Sequence, residues 1–205
     1  MSTKEELCKE LFDIGAVKFG LFTLKSGLKS PIYLDLRILV SYPETLKKVG
    51  KEIAELCKDL EFDKIAGIPY AAIAMATAVS LETGWSMIYT RKEIKDYGTK
   101  KAIEGVFKEG EKVLVIDDLI TNGGSKLEVI EPLKAQGLIV KDFVVLVDRE
   151  QGGKEELAKH GYGLHAAIKI TEMLEILKTS GKISEEQYND LKSYFDDSEK
   201  WQKGK

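Results

Sequence analysis

Lys112-Val-Leu-Val-Ile-Asp-Asp-Leu-Ile-Thr-Asn-Gly-Gly-Ser125 decides how this chain is read. Its unbroken apolar run, closing at Leu119, is that of a strand buried on both faces, as in a parallel sheet covered by helices. The strand ends in two adjacent acids. A Thr-Asn-Gly-Gly-Ser turn follows, and then a helix from Ser125 to Gln136, stopped at Gly137. Such a turn aims several backbone N–H groups, with the Thr121 and Ser125 hydroxyls, at one point before the helix, which is a cradle for phosphate. Gly123 and Gly124 let the backbone approach a ligand and take up positive φ. Asp117 and Asp118 repel phosphate but suit the vicinal hydroxyls of a ribose, and they sit at the carboxyl end of a strand, where open α/β sheets bind ligands. Amides on phosphate and acids on sugar describe a ribose 5-phosphate pocket. A generic strand–turn–helix that binds nothing has the same Gly-Gly pattern; the paired acids favour a site. The Gly-Lys-Ser/Thr order of a nucleotide-triphosphate loop is absent, as is Gly-x-Gly-x-x-Gly.

Working outward, strands and helices alternate. Lys64–Pro69 is a short apolar strand, Tyr70–Leu81 an Ala-rich helix ending near Gly84, and Ser86–Thr90 a second strand. Phe143–Val147 is another buried strand, followed by a helix over Glu155–His160 and a strand over Gly163–Ile170. This pattern predicts a parallel sheet flanked by helices. Pro132 lies inside the helix after the loop, so a kink or an early end is expected there. Before the core, Thr3-Lys-Glu-Glu6 forms a capping box ahead of Leu7, Leu11, Phe12 and Ile14, and Pro43 opens an amphipathic helix carrying Leu46, Val49, Ile53, Leu56 and Leu60. Phe22–Val40 between them reads as loop and strand. Ser184-Glu-Glu-Gln187 is a second capping box, opening a terminal helix.

Composition narrows the classes. The 205 residues are one domain's worth, and 43% hydrophobic against 32% charged supports a sizeable core rather than a disordered chain. A net charge of -3 gives no global pull onto nucleic acid or anionic membrane. No apolar stretch is long enough to span a bilayer, and MSTKEELCKELFDIG is too acidic for a secretory or transit peptide. Cys8 and Cys57 lie on helical patterns and are expected reduced, packed and cytoplasmic. No cluster of Cys and His has metal spacing.

Val115–Ser125 resembles the phosphoribosyl pyrophosphate (PRPP) signature of type I phosphoribosyltransferases. Three further segments are similar to the orotate phosphoribosyltransferases of that superfamily. Phe22-Thr-Leu-Lys-Ser-Gly-Leu-Lys-Ser-Pro-Ile-Tyr33 resembles their N-terminal loop, Arg91-Lys-Glu-Ile-Lys-Asp-Tyr-Gly-Thr-Lys100 their mobile catalytic loop, and Asp148-Arg-Glu-Gln-Gly-Gly153 their orotate-side turn. The likeness runs from about Phe19 to about Leu177 and is nearest the branch forming the N-terminal half of eukaryotic uridine monophosphate synthase. It implies a single phosphoribosyltransferase domain: an open, mainly parallel α/β core over residues 43–170, with residues 1–40 and part of the C-terminal region as a base-binding hood. A decarboxylase barrel would need about 250 more residues, so the transferase half alone is expected.

The resemblance implies Mg²⁺-dependent transfer of ribose 5-phosphate from PRPP to N1 of orotate, giving orotidine 5′-monophosphate (OMP) and pyrophosphate in pyrimidine biosynthesis. Orotate falls to Lys25, Tyr33, Thr121 and Arg149. PRPP falls to Tyr70, Arg91, Lys92, Lys95, Asp117, Asp118 and the Thr121–Ser125 turn, with Asn122, Gly123 and Gly124 in it. Lys95, Asp117 and Asp118 are the expected catalytic residues, and Mg²⁺ is expected to be held mainly by PRPP rather than by side chains. The resemblance also implies a homodimer whose 91–105 lid acts across the interface, with a separate OMP decarboxylase a possible partner. Chemistry fits these assignments: orotate carries a carboxylate that an arginine fork pairs bidentately, and a cationic lid suits a pyrophosphate leaving group. From the residues alone, Lys25 reads rather as a solvated loop lysine, and Arg149 equally as a surface ion pair with Glu150 or Asp148. Two departures from the bacterial pattern stand out: Ala71 where those enzymes carry lysine, and Tyr97 where they carry histidine. His160 and His165 lie outside the four motifs and read as structural or solvated. A purine-directed transferase and a PRPP-sensing regulator without catalysis are the two rivals.

Overall fold

The computed structural model describes residues 4–23, 27–91, 102–197 and 201. An N-terminal helix α1 (Lys4–Asp13) leads into a hairpin of strands β1 (Val17–Thr23) and β2 (Lys29–Leu34), then a 3-10 turn over Leu36–Ser41 and helix α2 (Pro43–Cys57). The core follows as β3 (Lys64–Gly67), α3 (Ala71–Thr83), β4 (Met87–Thr90), β5 (Ile103–Glu104), β6 (Lys112–Ile120), α4 (Gly124–Ala135), β7 (Ile139–Asp148), α5 (Gly153–Lys159) and β8 (Gly163–Lys169). Helices α6 (Ile170–Thr179) and α7 (Glu185–Asp196) complete the described chain.

The main sheet has the order β5-β4-β3-β6-β7-β8. Its β4-β3-β6-β7-β8 strands are parallel, and only the short edge strand β5 runs antiparallel. The apolar strands predicted from sequence are its interior: Ile65, Ile88, Leu114, Val115, Ile116 and Phe143 are all buried. Helix α2 packs on α3, and α4 on α5. Chain order in the sheet reverses between β3 and β6. That reversal is the switch point at which open α/β sheets bind ligands, beyond the carboxyl ends of the strands.

Most helix boundaries agree with the sequence reading. Pro43 is at the first position of α2, whose Val49 and Ile53 are fully buried while Leu46 and Leu56 pack at the core's margin; Leu60 packs there too but lies beyond the helix, which ends at Cys57. The Ser184–Gln187 capping box is complete: the Ser184 hydroxyl accepts from the Gln187 N–H at 3.1 Å, and the Gln187 side chain accepts from the Ser184 N–H at 2.9 Å. Thr3 of the first box lies outside the described residues. Three expectations change. Helix α4 does not end early at Pro132 but continues to Ala135, because so near the C-terminus a missing N–H costs one hydrogen bond and breaks no long ladder. Extended structure before the core begins at Val17, not Phe22, since β1 and β2 pair antiparallel across an irregularity between Phe19 and Phe22. Strand β8 ends at Lys169, and Ile170 opens α6 without an intervening turn.

Cys8 and Cys57 are buried free thiols, each pushed up to about 12 by burial, which suits packing rather than reactivity. His165 bonds Asp142 at 2.9 Å across β7 and β8, and His160 lies 3.4 Å from Glu156 on α5. Among the described residues no helix is long and apolar enough to cross a membrane.

Candidate active site

At the switch point lies a cavity of about 330 Å³. Its walls come from segments distant in sequence: Tyr33, Leu34, Leu36 and Arg37 from the end of β2 onward; Pro69, Tyr70 and Ala71 after β3; Asp117, Asp118 and Leu119 on β6; and Lys126 on α4. Register explains the meeting. Gly67 of β3 pairs with Ile116 of β6, and the Ile68 N–H bonds the Ile116 carbonyl, so Pro69 and Tyr70 leave the sheet beside Asp117 and Asp118. The Pro69–Tyr70 peptide bond is cis.

The two acids have different surroundings. Adjacent residues on a strand point to opposite faces. Asp117 is only 5% exposed, with one carboxylate oxygen on the Asp118 N–H at 2.8 Å and the other on the Lys126 ammonium. Burial raises the Asp117 carboxyl well above the usual carboxylate range; the Lys126 ammonium opposes that rise, and neighbouring Asp118 adds to it. Asp118 is half-buried and takes the Leu119 N–H at 2.8 Å. Both line the cavity, but Asp117 is built into the fold and Asp118 is the more accessible carboxylate.

Beyond Ile120 the chain makes the predicted turn. Gly123 adopts φ +82° as the residue before α4, and the Asn122 side chain accepts from the Gly124 N–H at 3.4 Å. The N-terminus of α4 is thereby presented with Thr121 half-buried and Ser125 exposed, and neither hydroxyl bonds another described residue. The turn is backed by the start of α5. A Cβ on Gly153 would lie 2.6 Å from both the Thr121 carbonyl oxygen and Ile120 Cγ1, so only glycine lets the two loops approach this closely.

Arg149 follows the carboxyl end of β7. Ile120 pairs with Asp148, and the Arg149 N–H bonds the Ile120 carbonyl at 3.0 Å, which fixes Arg149 beside the Thr121–Ser125 turn. Its side chain is not a surface ion pair. Arg149 is 8% exposed, and its buried Nε and Nη2 have no hydrogen-bond partner. Burial lowers its pKa, against an opposing contribution from Tyr194, and the Phe195 ring lies 5.9 Å from the guanidinium carbon. Glu150 holds the loop: at φ +53° it accepts from the Thr171 N–H at 3.0 Å and the Thr171 hydroxyl at 2.6 Å, at the start of α6. A buried cation with two idle donors is costly unless an anion completes it.

Of the other predicted residues, Tyr33 lies in the cavity wall, tilted against Phe22 at 5.5 Å, and Tyr70 is largely exposed at its rim. Arg91 bonds Glu104 and lines a neighbouring cavity of about 280 Å³ that shares Pro69. Lys25, Lys92, Lys95 and Tyr97 lie outside the described residues. Sequence reading missed Arg37, although its place in Tyr33-Leu-Asp-Leu-Arg37, close after a segment already singled out, was the available signal. It also missed the aromatic cover that α7 gives Arg149. Among the described residues no group of three or more His, Cys, Asp or Glu is arranged to hold a metal ion alone.

Comparison with known proteins agrees with this geometry. The family model described as phosphoribosyl transferase domain matches residues 38–165. Uridine 5′-monophosphate synthase of Bos taurus is 42% identical over 92% of this chain and 40% of its own length. Orotate phosphoribosyltransferase of Pyrococcus abyssi is 40% identical over 84% of this chain and 96% of its own length. The solved structure of Leishmania donovani UMP synthase superposes with a TM-score of 0.88 and 44% identity, covering 94% of this chain and 42% of that one. The chain thus spans about two fifths of the synthases' length.

Proposed function

Because this chain belongs to the phosphoribosyl transferase domain family, and within it to the orotate phosphoribosyltransferases, we propose that it transfers ribose 5-phosphate from PRPP to N1 of orotate. The products are OMP and pyrophosphate, which places the reaction in pyrimidine biosynthesis. The observation that carries the choice of base is Arg149, a buried guanidinium with idle donors beside the phosphate turn. Its ligand is the orotate carboxylate, which accepts two parallel N–H bonds from an arginine fork.

The remaining roles follow from placement. Backbone N–H groups at the start of α4 bind the 5′-phosphate, with the Thr121 and Ser125 hydroxyls. Asp118, assisted by Asp117, accepts from the ribose hydroxyls. Tyr33 offers a ring face to the base, and Thr121 and Lys25 complete the orotate end. As the bond from C1′ to the pyrophosphate oxygen breaks, its electron pair leaves with pyrophosphate, N1 bonds to C1′, and the N1 proton is lost. The transition state carries positive charge on the sugar and negative charge on the leaving group, so catalysis is positioning plus charge stabilisation. Asp118 offers the cleft a hard oxygen donor of the kind Mg²⁺ takes, which suits an ion held mainly by PRPP. When bound, Mg²⁺ neutralises charge on the pyrophosphate. The hood, formed by residues 1–40 with part of the C-terminal region, covers the base. The expected 91–105 lid is shorter than the sequence suggests, because Ile103 and Glu104 belong to strand β5 of the main sheet. The enzyme is a cytoplasmic homodimer whose lid, the segment between β4 and β5 with Arg91, Lys92 and Lys95, closes across the interface, and an OMP decarboxylase takes up its product.

Two experiments test this reading. With saturating PRPP and Mg²⁺, a panel of free bases should show orotate consumed and hypoxanthine and adenine untouched; consumption of a purine instead of orotate would contradict the assignment. Lys95→Ala should lower kcat by about 10²–10³-fold, the usual loss of one transition-state charge partner, with an unchanged Tm. Near-normal turnover would remove Lys95 from the mechanism.

A further inference from the structure

A diphosphate brings several negative charges into a cleft that already holds Asp117 and Asp118, so cations must line it. Among the described residues two do, Lys126 and Arg37. Lys126 is buried and its ammonium is committed to Asp117, whose second oxygen is held by the backbone. Ala71, also in the wall, contributes a methyl group and no charge. Arg37 differs from Lys126 in every respect. Its side chain is 61% exposed, and two of its donors are anchored at the cavity wall: Nε on Asp35 Oδ1 at 2.7 Å and Nη2 on the Tyr33 hydroxyl at 3.0 Å. Those bonds fix the guanidinium plane while Nη1 bonds no described residue. A rigidly held, solvent-facing fork is what recognition of phosphate oxygens requires.

We propose that Arg37 binds the pyrophosphate moiety, both in PRPP and as the released product. The proposal rests on the reading of this cleft as a PRPP site. It assigns to the segment after β2 a second task beside facing the base. Tyr33 and Arg37 share a hydrogen bond, so the ring and the phosphate ligand are set by one short piece of chain.

The test uses Arg37→Gln and Arg37→Lys in the full chain, with calorimetric binding of Mg²⁺-pyrophosphate and of PRPP alongside steady-state kinetics. The Gln variant should bind both about tenfold or more weakly, the scale of a lost charge-assisted contact. Its KM for orotate should stay within about twofold and its Tm unchanged, and the Lys variant should recover part of the loss. Unchanged pyrophosphate affinity in Arg37→Gln overturns the proposal. So does a rise in orotate KM equal to that in PRPP KM, because Arg37 would then only brace the hairpin. Wild-type protein that binds pyrophosphate but turns over no orotate would count against the proposed reaction and leave the role of Arg37 to the binding data.

Discussion

Replacing Arg149 with methionine should lower kcat/KM for orotate by about 10²–10³-fold, since two charge-assisted hydrogen bonds to a carboxylate are together worth about 3–4 kcal/mol. The KM for PRPP should hardly change. Stability should move the other way. In the folded protein the Arg149 guanidinium is buried with Nε and Nη2 unpartnered, and burial already disfavours its charged form. An apolar side chain of similar length removes that penalty while keeping contact with Phe195, so Tm should be equal to or above wild type. Steady-state kinetics and thermal unfolding on the same preparation check both halves. Retained orotate turnover would remove Arg149 from the base site, and a lower Tm would show it to be structural.

Asp117→Asn and Asp118→Asn should separate fold from function at adjacent positions. The Asp117–Lys126 pair has side chains only 7% and 11% exposed. Removing the carboxylate strands a buried ammonium, which costs about 3–5 kcal/mol. For a chain of this size that lowers Tm by about 6–20 °C. Asp118 sits half-buried at the cavity, so Asp118→Asn should stay within about 0.5 kcal/mol of wild type in stability and lose affinity for PRPP. Equal Tm values for the two variants would contradict the division of labour.

The difference between these acids shows where the sequence is readable. The Thr121–Ser125 turn is local: an apolar strand, two acids, a glycine pair and a helix start fall within one short segment, and strand, turn and helix lie there within a residue of the expected bounds. The Asp148–Gly153 turn is readable as a motif, but not the burial of Arg149, because Tyr194 and Phe195 come from a helix about 45 residues further on. Strand order was equally hidden. Ile65, Ile88, Leu114 and Phe143 mark interior strands, but nothing local says that β6 rather than β4 follows β3 across the switch point, and that choice creates the cleft. That Asp117 would be consumed by Lys126 depends on where α4 lies over β6. Helix α6 carried a legible signal in Ile170, Met173, Leu174 and Leu177, yet it continues from β8 with no turn residue to mark the change. In β1, Gly20 and an irregular register blur the alternation that marks a strand.

The proposed transfer is tested by loss of orotate absorbance in its ultraviolet band, measured with purified protein, PRPP and Mg²⁺ and with each omitted in turn. The loss should need all of them and yield OMP and pyrophosphate in equal amounts. Intact orotate in the presence of protein that binds PRPP would contradict it, and would mark the cleft as a site for another base or for PRPP sensing alone.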